Sequence, residues 1–107
     1  MSVVLQGSSA VGRVPEDTIY RLSPGVQVRK EKFGLLFYDY RGPRLYFLPS
    51  GDFINESFFS GGQSVSELIA AIHQEHQSYR RQEIVNFINQ ICLKLSDKGL
   101  IHGQSLC

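Results

Sequence analysis

This 107-residue chain has no tryptophan, one methionine and two cysteines. Cys92, inside an apolar stretch, and Cys107, at the last position, are too few and too far apart for a disulfide framework or a CxxC metal site. Free thiols of this kind fit a reducing, cytoplasmic setting. No run approaches the ~20 apolar residues that a membrane span needs, and the short Val3-Val4-Leu5 run lacks the basic flank of a secretion signal. An excess of charge is missing too: 11 Lys+Arg face 10 Asp+Glu, a net charge of +1. DNA-binding domains draw affinity from neutralising phosphates, so near-neutrality counts against a nucleic-acid partner. There is no G-x-S-x-G elbow, Walker loop or G-x-G-x-x-G fingerprint, so no catalytic residue and no cofactor is nominated.

What is present is an ordinary globular composition, 42% apolar and 20% charged, sufficient to bury one core. Residues 1–18 hold no sustained period and read as a flexible N-terminal arm, 19–103 as the folded domain and 104–107 as a tail. After the Ser23-Pro24-Gly25 turn, Val26-Gln27-Val28-Arg29 alternates apolar with polar, the period of a half-buried strand. Phe33 to Tyr40 is a second strand, apolar or aromatic on both faces. Arg41-Gly42-Pro43 turns the chain into a third strand, Arg44 to Leu48, which Pro49 ends by removing a ladder donor. Such short connections imply an antiparallel meander.

The period then changes. Ser50 is placed to cap a short helix that buries Phe53, Ile54 and Phe58 before Gly61-Gly62. Ser64-Val65-Ser66-Glu67 matches a capping box at the head of a second helix. From Gln82 to Lys98, Ile84, Ile88, Ile91 and Leu95 form one stripe of a third helix. Gly99 suits the left-handed position after it, with Leu100 folding back on Leu95. The expected fold is therefore α+β, a three-stranded antiparallel sheet followed by three helices.

Candidate sites are few. His73 and His76 lie three residues apart, but without a nearby third ligand or zincin spacing they read as solvent-exposed side chains, so no metal is expected. Arg29-Lys30-Glu31-Lys32 and Arg80-Arg81 read as solvated surface. A winged-helix DNA-binding regulator is the alternative function, but its last helix would carry only Lys94 and Lys98 as cations. The third strand is more informative. Leu45, Tyr46, Phe47 and Leu48 are unusually apolar for the last strand of a meander, whose outer edge invites an added strand. Tyr46→Pro is the natural probe if the Tyr46 amide faces that edge.

Tyr20-Arg21-Leu22-Ser23-Pro24-Gly25-Val26, the three strands, the Ser-Val-x-Glu-Leu cap and the ending Lys98-Gly99-Leu100-Ile101 together resemble the PqqD family of peptide chaperones. Arg29-x-Glu31-x-Phe33-Gly34-x-Leu36-x-Tyr38 and Leu45-x-Phe47-Leu48 resemble its mycofactocin-system (MftB) branch more narrowly. The chain departs from the familiar pattern at Pro49-Ser50-Gly51 and in the long polar connection from His73 to Arg81. The resemblance implies a winged-helix-like, non-catalytic recognition element that holds the leader of a ribosomally made precursor peptide and presents it to a radical S-adenosylmethionine enzyme. For the mycofactocin branch it implies a precursor whose C-terminal Val-Tyr is oxidatively decarboxylated by that partner. It also places the leader along the third strand, in the cleft made with the last helix. On this chain the expected peptide-binding residues are Arg44, Leu45, Tyr46, Phe47 and Leu48, with Arg81, Val85, Asn89, Cys92 and Leu93 from the helix. The choice of the Val85, Asn89 and Cys92 flank over the Phe87 and Lys94 flank rests on helical geometry alone.

Overall fold

The computed structural model describes residues 14–104. Six strands and two α-helices follow one another as β1 (Ile19–Leu22), β2 (Val26–Glu31), β3 (Gly34–Asp39), β4 (Arg44–Leu48), a 3₁₀ turn (Glu56–Phe59), β5 (Ser60–Ser64), α1 (Val65–Glu75), α2 (Arg81–Asp97) and β6 (Ile101–Gln104). They form two antiparallel three-stranded sheets, ordered β5-β1-β6 and β2-β3-β4. The expectation of one such sheet followed by three helices is thereby overturned. The meander of β2, β3 and β4 is present, but a second sheet joins β1 and β5 to β6, and among the described residues only two α-helices form.

Both differences have local causes. The segment after Pro49 spends its amides on the sheet: Ser50 N–H donates to the Leu48 carbonyl (2.8 Å) and Gly51 N–H to that of Phe33 (2.9 Å). A helix started at Ser50 has no such tether, so only a single 3₁₀ turn forms later, burying Phe58 and Phe59. The strands β1, β5 and β6 have four or five residues each, and β5 reads Ser-Gly-Gly-Gln-Ser, without the β-branched or aromatic side chains that mark strands. Tertiary pairing with β1 makes it a strand.

Residues 14–18, expected to belong to the arm, are tied down. Val14 is buried and its N–H donates to Asn89 Oδ1 (3.2 Å). Ser66 N–H donates to the Glu16 carbonyl (2.8 Å), Val65 N–H to that of Thr18 (2.9 Å), and Arg81 pairs with the Glu16 carboxylate (2.8 Å). The remainder of the expected arm, residues 1–13, and Cys107 lie outside the described residues.

The helix ends form as their residues demand. Ser64 and Glu67 make the reciprocal capping box, with Ser64 N–H donating to Glu67 Oε1 (2.8 Å) and Glu67 N–H to Ser64 Oγ (3.2 Å). Gly99, at φ 75°, closes α2 in a Schellman cap, with Gly99 N–H bonded to Ser96 O (2.9 Å) and Leu100 N–H to Leu95 O (3.0 Å). The core lies between the meander, the 3₁₀ turn and the two helices. Leu35 and Phe37 from β3, Phe58 and Phe59, and Ile88 and Leu95 from α2 are all buried in it.

One backbone position controls how β3 meets the chain after β4. A Cβ on Gly34 would lie 1.9 Å from the Leu48 carbonyl oxygen and 2.8 Å from the Ser50 amide nitrogen. Both obstacles are backbone and cannot rotate away. Gly34→Ala is expected to lower stability by at least the roughly 1–3 kcal/mol of an overpacked core, measured as a lower urea midpoint with unchanged slope.

Candidate functional site

In the meander, β3 is central, and among the described residues β4 is paired only on its β3 side. The direction of each β4 amide follows from one hydrogen bond at the other side of β3. Tyr40 N–H donates to the Gly25 carbonyl (2.8 Å), and these residues stand opposite each other when the Val26↔Asp39 register is continued by one. In an antiparallel ladder the bonded pairs alternate. Even-numbered residues of β3 therefore bond toward β2 and odd-numbered ones toward β4. Leu35, Phe37 and Asp39 face Leu48, Tyr46 and Arg44 respectively, so those three β4 residues spend their backbone groups on β3. Leu45 and Phe47 direct their N–H and C=O groups to the open side.

Side-chain direction alternates as well. Leu48 is buried and Tyr46 packs partly into the core, whereas Leu45 (66% exposed) and Phe47 (42% exposed) stand on the outer face. There they pair across the ladder with Tyr38 and Leu36. The result is an unpaired edge whose two free backbone positions carry apolar side chains.

Beside this edge lies the C-terminal end of α2. Arg44, Leu45 and Tyr46 together with Lys98 and Leu100 line a cleft of about 380 Å³. Lys98 Nζ sits 4.8 Å from the Tyr46 ring centroid, and Arg44 Nη2 donates to the Lys98 carbonyl (3.3 Å). An anionic clamp fixes this corner. Asp39, only 3% exposed, accepts hydrogen bonds from Arg41 Nε (2.9 Å) and Nη2 (3.1 Å) and from Arg44 Nη2 (2.6 Å). Those bonds, first from Arg41 and then from Arg44, hold the Asp39 carboxyl well below the usual carboxylate range. Arg41 Nη2 also reaches the Gly99 carbonyl (2.9 Å), so both guanidiniums cap the end of α2.

The same face of α2 carries Phe87, Ile91 and Lys94 at three- and four-residue spacing before Lys98. At its far end Phe53, Ile72, Tyr79, Glu83, Ile84 and Phe87 line an apolar pocket of about 290 Å³. Phe53 stacks edge-on to Phe87 with centroids 5.6 Å apart and tilts against His76 at 4.7 Å. His76 is thus half of an aromatic contact, and among the described residues no three metal-ligating side chains gather around it or elsewhere.

The helix residues expected in the cleft lie elsewhere. Val85 and Cys92 are buried in the core and offer no surface to a ligand. Burial pushes the Cys92 thiol up to about 12, and burial also raises the neighbouring Tyr20 hydroxyl. Asn89 holds Val14, Arg81 pairs with Glu16, and Leu93, 39% exposed, lies well around the helix from Lys98. The residue at the end of α2 that meets β4 is Lys98, which lies on the face that carries Phe87 and Lys94. Hydrophobic spacing identifies the stripe of a helix but not which of its shoulders meets which sheet. In this chain the second sheet, built on β1, occupies the Val85 and Cys92 shoulder.

A family model for the peptide chaperone MftB family matches residues 19–86, well over half of the chain. The chain belongs to that family. No curated protein and no solved structure matches it. The matched span covers both strands of the β3–β4 hairpin and the beginning of α2. Membership makes a peptide the ligand class against which the open β4 edge is to be read. Among the described residues no helix is long and apolar enough to cross a membrane.

Proposed function

We propose that this peptide chaperone holds the leader of a ribosomally synthesised precursor along β4 as an added strand and presents it to a radical S-adenosylmethionine maturase in mycofactocin assembly. The observation that carries the reading is the open side of β4, where Leu45 and Phe47 hold unshared backbone donors and acceptors beside a cleft closed by α2. Strand addition uses such an edge for affinity and the alternating side-chain positions for selectivity. On one face the leader's side chains meet Leu45 and Phe47. On the other they enter the cleft with Tyr46 and Lys98 and run toward Phe87. Backbone pairing and apolar anchors supply most of the affinity, because exposed ion pairs contribute only about 0–1 kcal/mol each. The chaperone contributes no bond-making step; the chemistry belongs to the partner enzyme.

The test is a titration of a fluorescently labelled leader peptide of a mycofactocin precursor against the full chain, with and without the radical enzyme. Saturable binding supports the proposal. An absence of binding at tens of micromolar in both arms overturns it.

A further inference from the structure

We infer that the cleft between Arg44 and Lys98 is a carboxylate subsite, which takes an acidic side chain of the bound peptide and sets its register along β4. This inference rests on the strand-addition reading and adds to it the chemistry of one peptide position. The corner holds more cations than anions. Asp39 is shared by Arg41 and Arg44, so one carboxylate faces two guanidiniums. Among the described residues Lys98 has no acidic partner, and its ammonium rests on the Tyr46 ring. Lys94, on the same face of α2, has none either. Asp97 lies about 100° around the helix from Lys98 and pairs with neither cation. The carbonyls at the end of α2 are already engaged by Arg41 and Arg44 and do not offset the excess.

The position of an acid in the peptide follows from the strand geometry. Side chains of an added strand that stand opposite Arg44, Tyr46 and Leu48 project to the cleft side, and the first of these falls beside Arg44 and Lys98. A separate pocket at the other end of this face of α2 is apolar, at Phe53 and Phe87. Eleven residues of helix separate Phe87 from Lys98. That is roughly 16 Å, the span of about five residues of extended peptide. Every strand pair among the described residues is antiparallel, and an antiparallel peptide places its apolar anchor first and its acid four or six residues later, the even spacings near that span that keep both on the cleft side. The preferred ligand is thus a short extended peptide with a bulky apolar residue and, four or six positions toward its C-terminus, Asp or Glu.

The experiment is selection of a displayed library of random twelve-residue peptides on the full-length protein, on Phe47→Pro and on Lys98→Glu. Peptides bound by the native protein and lost with Phe47→Pro are the edge-dependent set. The expected result is an acid at the stated spacing in that set, replaced by Lys or Arg in peptides selected on Lys98→Glu. Changing the acid of the best peptide to Ala should weaken binding about two- to fivefold at low salt, and by less against Lys98→Gln, where only the Arg41 and Arg44 excess remains. An edge-dependent set without acid preference overturns the subsite and leaves strand addition standing. An empty edge-dependent set overturns both.

Discussion

Phe47→Pro is expected to weaken leader binding roughly tenfold to a hundredfold while the protein stays folded. The amide of residue 47 points away from β3, so its loss removes no bond of the native ladder. Edge strands accept proline where the N–H faces solvent, and the residue before it is held in the extended region that Tyr46 already occupies. In the complex the same change deletes one donor and leaves a leader carbonyl without its partner, a cost of about 1–3 kcal/mol. Phe47→Val separates side chain from backbone: it keeps the amide and the strand propensity and should lose only part of the affinity. Tyr46→Pro behaves differently. The Tyr46 amide bonds to Phe37 at the centre of the meander, and its loss disrupts β3 and β4 together. It is therefore a poor probe of the edge, although the bare sequence makes it look suitable. Titration calorimetry with the leader, alongside circular dichroism of each variant, checks all three. Full affinity in a folded Phe47→Pro protein would place the leader elsewhere.

How the site could be read in advance differs from residue to residue. The bounds of β4 were legible because Pro43 and Pro49 bracket five residues of strand-forming character. The capping box and the Gly99 cap were legible because each is a local contract among residues a few positions apart. The inward or outward aim of the Leu45, Tyr46 and Phe47 amides was not. It depends on the β2–β3 register, and Gly25 and Tyr40 are fifteen residues apart along the chain. The second sheet was invisible for a related reason. Its strands β1, β5 and β6 are too short to show a period, and they exist because distant ends of the chain meet. That same sheet claims the Cys92 side of α2 and leaves the Lys98 side for β4. The missing second sheet thus also left the two shoulders of α2 indistinguishable.

Asp39→Asn is expected to cause the largest loss of stability of any single polar substitution in the meander, and to loosen the cleft as it does so. The isosteric amide keeps the shape but carries no charge and one accepting oxygen where Asp39 uses two, and it turns N–H groups toward a guanidinium. Arg41 and Arg44 then lose the anchor that aims them at the Gly99 and Lys98 carbonyls, and the end of α2 loses its caps. Faster amide exchange at Gly99 and Leu100 and a weaker affinity for the leader should accompany the lower melting temperature. The pH dependence distinguishes an ionic clamp from a merely steric one. The Asp39 carboxyl titrates lower in the folded protein than its unfolded value of about 3.9. Its contribution is therefore complete above that value and is lost as the pH falls through the folded one. The stability gap between the native protein and Asp39→Asn should stay constant from about pH 8 to pH 5, begin to close below about pH 4, and close further in stronger acid. Urea unfolding at a series of pH values measures it. A gap that persists unchanged into strong acid would show that shape, and not charge, holds this corner, and would leave Arg44 free to meet a ligand without Asp39 to aim it.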